Sequence, residues 1–359
     1  MSLHFHSLRI KEVRRETADC VSLLFELPLS IQHLFQFVAG QNLTLKTTIN
    51  GQELRRSYSI CSAPHENELR VAIKKVEGGL FSGYANENLK AGDTLEVMPP
   101  TGKFNTPHSE KQTNNYLMIA AGSGITPILS LIKSILYTEP SSHVTLLYGN
   151  RNRAGIIFFE ELEQLKNKYM ERFNLLHVLS REKTDSPLQM GRIDEEKLLT
   201  LHRLNEFEKM DACFLCGPEE MILQSKAFLE KVGLSPKKIH FELFTSSAMA
   251  TRPKKTEADP TQKKVCSLVT LKLDGREIPI EIPLQEDLTI LDAALAQGAD
   301  LPYACKGGMC CTCKAKLVSG EVIMDIHWGL EEEEVEQGYI LTCQSFPKTE
   351  KLIVDFDSK

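Results

Sequence analysis

The sequence predicts a multidomain protein: a small antiparallel β-barrel or β-sandwich, then a doubly wound parallel α/β sheet, then a small α+β module. Up to about residue 106 the chain consists of short strand-like runs separated by Pro and Gly clusters. From about 113 to 244 apolar strand candidates alternate with helical stretches, which is typical of a parallel sheet with crossover helices. The last 95 residues begin with two strand-like runs that meet at Asp274-Gly275, a strong hairpin signal.

Domain boundaries follow from these changes in pattern. A chain of 359 residues is long enough for two or three domains. We assign residues 1–106 to the barrel and 107–244 to the α/β domain. Residues 245–264 are poor in apolar side chains and rich in Lys, Thr and Pro, so we predict a linker there. Residues 265–359 form the α+β module.

The composition excludes several classes of protein. Hydrophobic residues make up 42% and charged residues 25%, which is the range of folded globular proteins. The net charge of -6 gives no basic footprint, so we expect no nucleic-acid partner. The first 20 residues lack the apolar core of a signal peptide, so we expect a cytoplasmic protein.

One apolar stretch, residues 116–136, is long enough for a membrane span. It is interrupted by Gly122, Gly124, Pro127 and Lys133. A buried strand, a turn and a helix explain the stretch better, and we expect no membrane association.

The cysteines provide the most specific signal. Cys305, Cys310 and Cys313 have the spacing C-x4-C-x2-C, and Cys343 follows after 29 residues. This is the ligand pattern of a plant-type [2Fe-2S] cluster, in which each iron takes two thiolates. The alternative is a zinc site built on Cys310 and Cys313, although zinc sites usually pair two such clips.

Two further features of the loop bear on the cluster. The loop contains Gly307 and Gly308, which let backbone N–H groups approach the cluster sulfurs. Cys311 lies inside the second spacer, and we interpret it as an unligated bystander.

Residues 331–343, EEEEVEQGYILTC, resemble the acidic stretch that leads into the fourth ligand of plant-type ferredoxins. That resemblance implies the β-grasp fold for residues 265–359.

A [2Fe-2S] cluster exchanges single electrons, so another cofactor must supply them. Residues 56–62, RSYSICS, resemble the flavin-binding RxYSxxS motif of the ferredoxin-NADP reductase superfamily. The resemblance implies that Arg56 holds a flavin phosphate, Tyr58 lies along the isoalloxazine and Ser59 hydrogen-bonds near its reactive nitrogen. It also includes Ser62, the last position of the motif.

A second segment extends the resemblance. Gly78, Gly79 and Ser82 match the superfamily's GGxxS segment, where the amides at a helix start receive a pyrophosphate. A pyrophosphate implies FAD as the cofactor in preference to FMN.

Three later segments resemble the nicotinamide site of the same superfamily. Gly122, Gly124 and Thr126 match its GxGxTP segment, with Pro127 expected at the first helical position. Cys216 and Gly217 match its CGP segment, where the thiol lies near the hydride-transfer atoms as a positioning group. The resemblance thus implies that Ser59, Thr126 and Cys216 surround the reaction. Residues 240–244, HFELF, resemble the end of the reductase portion in this superfamily. The resemblance implies that the ring of the final residue, Phe244, lies near the flavin.

Two basic stretches, at 148–153 and 179–183, lie where the adenosine half of the dinucleotide should bind. They supply Arg151, Ser180 and Arg181. Guanidinium and hydroxyl groups suit a 2′-phosphate, whereas a bare ribose is usually met by a carboxylate. We therefore predict NADPH as the electron-donating substrate.

The domain order resembles that of the electron-transfer components of multicomponent oxygenases. The resemblance implies transfer from NADPH to FAD, then to the [2Fe-2S] cluster, then to an oxygenase component. Residues 304–325 and 330–344 are most similar to reductases of the phenylacetyl-CoA-epoxidising type, which implies a role in phenylacetate degradation. Reductases of Rieske ring-hydroxylating or steroid-hydroxylating oxygenases are the alternative, and a non-redox zinc-stabilised module is a further one.

Charge is distributed unevenly between the domains. Residues 265–359 contain eight Lys and Arg against seventeen Asp and Glu, so the α+β module is the acidic part of the chain. We expect its acidic surface, including Glu331 to Glu334, to steer a basic face of the oxygenase component. Simple solvation is the alternative explanation of this charge run.

Overall fold

The computed structural model describes residues 4–244, 266–284 and 286–358. It contains two compact units, one of them Phe5–Phe244 and the other including the described residues from 266 onward. The predicted linker, residues 245–264, lies outside the described residues. In the described part of the chain, none of the helices combines the length and the apolar character that crossing a membrane requires.

The first part of the larger unit is an antiparallel barrel of six strands in the order β4-β3-β6-β1-β2-β5. The strands are β1 (His6–Thr17), β2 (Cys20–Glu26), β3 (Asn42–Ile49), β4 (Gln52–Ser59), β5 (Leu69–Lys74) and β6 (Thr94–Val97). A bridge between Ile60, which follows β4, and Val71 of β5 connects the two outer ends of the sheet. Helix α1 (Leu80–Glu87) lies between β5 and β6 in the chain.

The second part is a parallel sheet of five strands in the order β11-β10-β7-β8-β9. The strands are β7 (Asn115–Ala121), β8 (His143–Asn150), β9 (Phe173–Leu179), β10 (Ala212–Gly217) and β11 (Ile239–Leu243). The helices that connect them are α2 (Ile125–Thr138), α3 (Phe159–Lys168), α4 (Glu195–Asn205) and α5 (Glu219–Lys231).

The strand order of this sheet determines where a ligand binds. The chain runs outward from β7 to β9 and then returns to place β10 on the other side of β7. Right-handed crossovers therefore put helices on both faces, and the order reverses between β7 and β10. Ligands of such sheets bind beyond the carboxyl ends of the strands at this switch point, where Gly122 follows β7 and Pro218 follows β10.

Helix α2 joins the barrel to the parallel sheet. Lys133 is 8% exposed, and its ammonium group lies 3.1 Å from Glu66 in the barrel and also pairs with Glu161 of α3. The hydroxyl of Ser130 donates a 2.6 Å hydrogen bond to the carbonyl of Ser62. These contacts fix the barrel segment that follows β4 against the α/β domain.

The smaller unit has a mixed sheet in the order β13-β12-β18-β14-β16 and a separate pair, β15 and β17. Its strands are β12 (Cys266–Leu273), β13 (Arg276–Pro283), β14 (Lys314–Ser319), β15 (Val322–Met324), β16 (Tyr339–Leu341), β17 (Ser345–Pro347) and β18 (Lys351–Asp355). Its helices are α6 (Ile290–Ala296) and α7 (Glu332–Glu336). Short 3-10 turns elsewhere in the described chain span Gln32–Phe35, Pro64–Glu66, Gly122–Gly124, Arg153–Gly155, Pro187–Gln189, Phe207–Lys209 and Pro236–Lys238.

The predicted hairpin of the smaller unit forms at Asp274-Gly275. Both residues have positive φ, +52° and +71°, as a type I′ turn requires. The carboxylate of Asp357 accepts hydrogen bonds of 2.8 and 2.9 Å from their two amides. The three predicted architectures, barrel, doubly wound sheet and α+β module, are thus the ones observed.

Candidate functional site

The end of strand β4 brings the predicted flavin residues to one place. Side chains alternate along a strand, so Ser59 points inward and is 3% exposed, while Arg56 is exposed. The ring of Tyr58 lies 5.6 Å from that of Phe81, between ring centroids. Tyr58 is therefore held against helix α1, next to the glycines at 78 and 79.

Helix α1 begins at that glycine segment without a capping side chain. Gly78 has a φ of +71°, and a Cβ on Gly79 would lie 2.5 Å from the hydroxyl of Ser82. Ser82 accepts a 3.1 Å hydrogen bond from the amide of Val76, so its hydroxyl closes the loop. The helix N-terminus keeps amide groups that an anion such as a pyrophosphate can bind.

Ser62 has a different position from the other motif residues. Its hydroxyl accepts a 3.1 Å hydrogen bond from the amide of Arg70 and donates a 2.8 Å bond to the carbonyl of Glu68. Both bonds lie inside the barrel, where Ser62 is 1% exposed. The side chain of Ser62 thus holds the segment after β4 in place.

The glycine loop after β7 has the conformation that its sequence requires. Gly122 has a φ of +54°, and the hydroxyl of Tyr148 donates a 2.9 Å hydrogen bond to its carbonyl. The expectation for Pro127 was wrong, because α2 begins at Ile125 and Pro127 is its third residue. The turn of Gly122–Gly124 is itself helical, and proline is tolerated throughout the first turn of a helix.

The loops after β7 and β10 touch each other. A Cβ on Gly124 would lie 2.1 Å from the carbonyl oxygen of Cys216, so only glycine allows this approach. Gly217 has a φ of +158° and faces Ala121. Thr126, 2% exposed, donates a 3.0 Å hydrogen bond to the carbonyl of Ser123. The structure therefore brings the GxGxTP and CGP segments together at the switch point.

Glu242 is a residue that the sequence analysis missed. Its Oε2 accepts a 3.0 Å hydrogen bond from the hydroxyl of Ser59, and it lies opposite Cys216 in the parallel pairing of β10 and β11. Part of the residue reaches the surface, while burial of its carboxyl group raises its pKa to about 7. It was missed because the sequence analysis took only the aromatic Phe244 from the HFELF segment, and Glu242 meets Ser59 only through the fold.

The thiol of Cys216 is buried and neutral. Cys216 is 0% exposed, and its pKa is raised well above the ordinary value by burial and by the nearby Glu242. A thiol is a nucleophile only as the thiolate. A neutral thiol at Cys216 is a poor nucleophile, and its role as a positioning group stays a prediction.

Lys74 is a second residue that the sequence analysis missed. It ends strand β5, and its side chain is 31% exposed. Its ammonium nitrogen lies 3.9 Å from the position that a Cβ on Gly122 would take. A cation thus lies between the barrel and the glycine loop, where a dinucleotide phosphate can bind.

The two basic stretches meet at the carboxyl ends of β8 and β9. The amide of Arg181 donates a 2.8 Å hydrogen bond to the carbonyl of Arg151, and the amide of Ser180 donates to that of Asn150 at 2.9 Å. Ser180 and both arginines are exposed. The one carboxylate in these stretches, on Glu182, accepts a 2.7 Å hydrogen bond from the amide of Arg153.

Phe244 follows β11 and is 39% exposed. It is the last described residue of the larger unit. The two residues before it, Leu243 and Glu242, pair with β10, so the backbone of Phe244 lies at the same edge of the sheet as the CGP segment.

The four predicted ligands form two pairs of thiols. The side chain of Cys305 contacts that of Cys310, and the side chain of Cys313 contacts that of Cys343. Within the described chain, no three His, Cys, Asp or Glu side chains gather around one point as the ligands of a single ion do. Two pairs are what two irons with two thiolates each require.

Backbone amides of the cysteine loop point at a ligand sulfur. The amide of Gly307 lies 3.3 Å from the sulfur of Cys305. A side-chain hydrogen bond from Cys310, together with the amides of Gly307, Met309 and Cys310, lowers the pKa of Cys305 to about 5. The loop therefore favours a thiolate, the form that ligates iron, at Cys305. Contact with the partner thiol and burial raise the pKa of Cys310 and of Cys313.

The segment after β15 packs directly on this loop. The amide of Gly329 donates a 3.0 Å hydrogen bond to the carbonyl of Gly308. A Cβ on Gly308 would lie 2.4 Å from the carbonyl oxygen of Ile326. Cys311 has a φ of +56°, and its thiol donates to the carbonyl of Gly329. Cys311 is thus turned away from the pairs and toward this segment.

The donor groups of each site fit the predicted cofactors. An uncapped helix start at Gly79 and a buried hydroxyl at Ser59 suit a flavin dinucleotide. The thiol pairs and the amides aimed at Cys305 suit an iron–sulfur cluster.

Three family models match the chain, in the order that the sequence predicts. The Oxidoreductase FAD-binding domain matches residues 7–106, the Oxidoreductase NAD-binding domain matches 118–226, and the 2Fe-2S iron-sulfur cluster binding domain matches 271–348. FAD and a [2Fe-2S] cluster are thereby confirmed as the cofactors, with NAD(P)H as the electron donor. The matches also favour the cluster over the zinc site.

Curated relatives match over almost the whole chain. The chain is 46% identical over 357 residues to a subunit of the 1,2-phenylacetyl-CoA epoxidase of Escherichia coli, covering 99% of this chain and 98% of the relative. It is 32% identical to the ferredoxin reductase component of 3-ketosteroid-9-alpha-monooxygenase of Rhodococcus rhodochrous, covering 97% and 96%.

Among solved structures, phthalate dioxygenase reductase has the same fold, with a TM-score of 0.58, 24% identity and 98% coverage of both chains. That structure is described as a modular one for electron transfer from pyridine nucleotides to [2Fe-2S]. The FAD-binding, NAD-binding and iron–sulfur domains occur in this chain in one polypeptide, and its relatives are components of oxygenase systems. The chain therefore belongs to the family of FAD- and [2Fe-2S]-dependent reductase components of multicomponent oxygenases.

Proposed function

We propose that this chain takes electrons from NADPH and delivers them singly to the oxygenase component of a phenylacetyl-CoA-epoxidising complex. The 46% identity to the E. coli epoxidase component, over 99% of this chain, is the observation that carries the choice of acceptor. Bound FAD supplies the conversion of a two-electron hydride transfer into single-electron transfers, which a cluster cannot perform. The rest of the chemistry belongs to the residues around the two sites.

The barrel and the nucleotide domain position the donor and the flavin against each other. In the proposal, Arg56 and the amides after Gly78 and Gly79 bind the flavin phosphates, and Tyr58 lies along the ring system. Support comes from the exposed guanidinium and from the uncapped start of α1. Ser62 and Ser82 hold the two flavin segments in shape through their hydrogen bonds inside the barrel.

The nicotinamide half of NADPH is proposed to lie at the switch point, between the loops after β7 and β10. Gly122 and Gly124 allow the backbone to approach it, and Lys74 meets its pyrophosphate. Ser59, Thr126 and Cys216 surround the place where the ring must meet the flavin. The hydrogen bond from Ser59 to Glu242 and the Gly124–Cys216 approach support this placement.

Preference for NADPH rests on the adenosine end of the site. Arg151, Ser180 and Arg181 present two guanidinium groups and a hydroxyl from neighbouring loops. The carboxylate of Glu182 is engaged with the amide of Arg153. This set suits a 2′-phosphate, which guanidinium groups bind through charged hydrogen bonds.

Reconstitution with purified proteins tests the proposed acceptor. The chain is combined with NADPH, phenylacetyl-CoA and the other subunits of the E. coli 1,2-phenylacetyl-CoA epoxidase, and product is measured against NADPH consumed. We expect product in proportion to NADPH, with little product when this chain is omitted. NADPH oxidation without product would contradict the epoxidase assignment and leave the reductase activity standing.

A steroid-hydroxylating partner is the second candidate, because the R. rhodochrous relative is 32% identical over 97% of this chain. The same assay with 3-ketosteroid-9-alpha-monooxygenase oxygenase and its substrate compares the two acceptors. We expect slower turnover with this acceptor, and faster turnover would reverse the assignment.

A further inference from the structure

The single tryptophan of the sequence, Trp328, lies beside the cysteine loop, residues 305–313. The following residue, Gly329, is bonded to the loop through Gly308, and a Cβ on Gly329 would lie 2.5 Å from the carbonyl oxygen of Met309. The backbone at 328 is therefore held at the rim of the loop. Trp328 is 43% exposed.

The exposed indole is informative because it lies at the rim of the loop that carries three of the predicted cluster ligands. Scattered apolar residues on a surface are ordinary, but tryptophan buries the largest area of any side chain and is enriched at the energetic centres of interfaces. Electrons leave the cluster most readily where its loop approaches the surface. Trp328 lies at that place, next to Met309, which is partly exposed.

Acidic residues follow the tryptophan closely in the chain. Glu331, Glu332 and Glu333 are exposed. The fourth member of the run, Glu334, is an exception to the expected acidic surface: it is 8% exposed, and its carboxylate lies 3.1 Å from the ammonium group of Lys314. The acidic surface is therefore smaller than the sequence predicts, and it starts three residues after Trp328.

We propose that Trp328 and Glu331–Glu333 form the surface that docks the oxygenase component. The indole would enter an apolar pocket on that component, and Lys and Arg around the pocket would face the three carboxylates. Charge complementarity sets the rate of association, and the apolar anchor sets the rate of dissociation. This inference rests on the proposed function, because it names the surface that the proposed acceptor uses.

The first test separates docking from the internal reaction. Trp328→Ala is compared with Leu268→Ala, which removes a residue of similar exposure, 45%, from strand β12. Cluster reduction by NADPH is followed without any partner, and turnover is then measured with the other E. coli epoxidase subunits. We expect unchanged cluster reduction in both variants, and a KM for the subunits raised about tenfold or more only in Trp328→Ala.

Three outcomes bear on the proposal. Equal KM values for the two alanine variants would overturn it. Slower cluster reduction in Trp328→Ala without a partner would also overturn it, because the indole would then serve the flavin-bearing unit. If the unmodified chain fails to reduce its cluster with NADPH, the proposed function fails instead. Trp328→Phe keeps an aromatic anchor and should restore most of the affinity.

A second test uses the indole as its own reporter. Because the chain has one tryptophan, labelling it with fluorotryptophan gives a single fluorine NMR resonance, and a shift of that resonance on adding the unlabelled epoxidase subunits reports a changed environment of Trp328 alone. Replacing all three glutamates by glutamine should slow association several-fold and remove its salt dependence between about 0.05 M and about 0.5 M NaCl. An unshifted fluorine resonance at saturating subunits would contradict the proposal.

Discussion

The hydroxyl of Ser59 donates a 3.0 Å hydrogen bond to Glu242, 183 positions away in the chain. Ser59 ends strand β4 of the barrel, and Glu242 lies in strand β11 of the parallel sheet. Their bond connects the predicted flavin segment to the strand that pairs with Cys216. Glu242 thus connects both halves of the proposed hydride-transfer site, through its carboxyl group to Ser59 and through its strand to Cys216.

The first prediction concerns the pH dependence of flavin reduction. Burial raises the pKa of Glu242 to about 7, so the carboxyl is protonated below that pH and ionised above it. We expect the rate of flavin reduction by NADPH to show an inflection near this pH in stopped-flow absorbance. Glu242→Gln should remove the inflection, because glutamine does not titrate.

Ser59→Ala provides the control for this assignment. The Ser59 hydrogen bond favours the ionised carboxylate and lowers the pKa of Glu242 against the effect of burial. Its removal should therefore move the inflection to higher pH. An inflection that survives in Glu242→Gln would assign the titration to another group.

The second prediction separates the cluster ligands from Cys311. Serine at any of the four ligand positions, Cys305, Cys310, Cys313 or Cys343, should abolish the [2Fe-2S] spectrum and most of the bound iron and sulfide. Cys311→Ser should keep both, because the Cys311 thiol is bonded to the carbonyl of Gly329. Iron and acid-labile sulfide analysis of anaerobic preparations checks this. Loss of iron in Cys311→Ser would contradict the assigned ligand set.

The third prediction concerns the approach of Gly124 to Cys216. A methyl group at 124 would lie 2.1 Å from the Cys216 carbonyl oxygen, so Gly124→Ala must push the two loops apart. We expect a loss of about 1–3 kcal/mol of stability and a large fall in the rate of flavin reduction.

The matched variant for this prediction is Gly83→Ala in helix α1. A Cβ at this position meets no atom within 4 Å, so the variant should be neutral, or stabilising by up to about 1 kcal/mol. Urea unfolding followed by flavin release compares the two. Equal stability of the two variants would show that the loops at 124 and 216 are not in contact.

The fourth prediction tests the nucleotide preference. Arg181→Ala removes a guanidinium from the proposed 2′-phosphate site, whereas NADH carries no phosphate there. We expect kcat/KM for NADPH to fall about tenfold or more, with kcat/KM for NADH nearly unchanged. Arg192→Ala, at an exposed arginine outside the two basic stretches, is the control. An unchanged ratio of NADPH to NADH efficiency would remove Arg181 from the site.

Local patterns predicted most of the fold, because the residue types in each pattern suit one local structure better than any other. Asp274-Gly275 forms the predicted turn because both residues tolerate positive φ. The apolar stretch at 116–136 becomes strand β7, a turn and helix α2, as its glycines indicate. The cysteine spacing predicted four ligand thiols, and the structure brings the distant Cys343 beside Cys313 of the loop.

The features that the sequence analysis missed depend on contacts between distant parts of the chain. Glu242 becomes part of the site only because β11 is placed beside β10. Glu334 turns inward because Lys314, 20 positions earlier, offers a partner, which a run of four glutamates does not reveal. Lys74 faces Gly122 only after the barrel and the parallel sheet have packed together.

An anaerobic titration of the purified chain with NADPH, followed by visible absorbance, tests the central claim most directly. We predict that the flavin and [2Fe-2S] bands both bleach, and that iron and acid-labile sulfide are present in equal amounts, two of each per chain. A protein without flavin colour, or one that binds zinc and no iron and leaves NADPH unoxidised, would contradict the account.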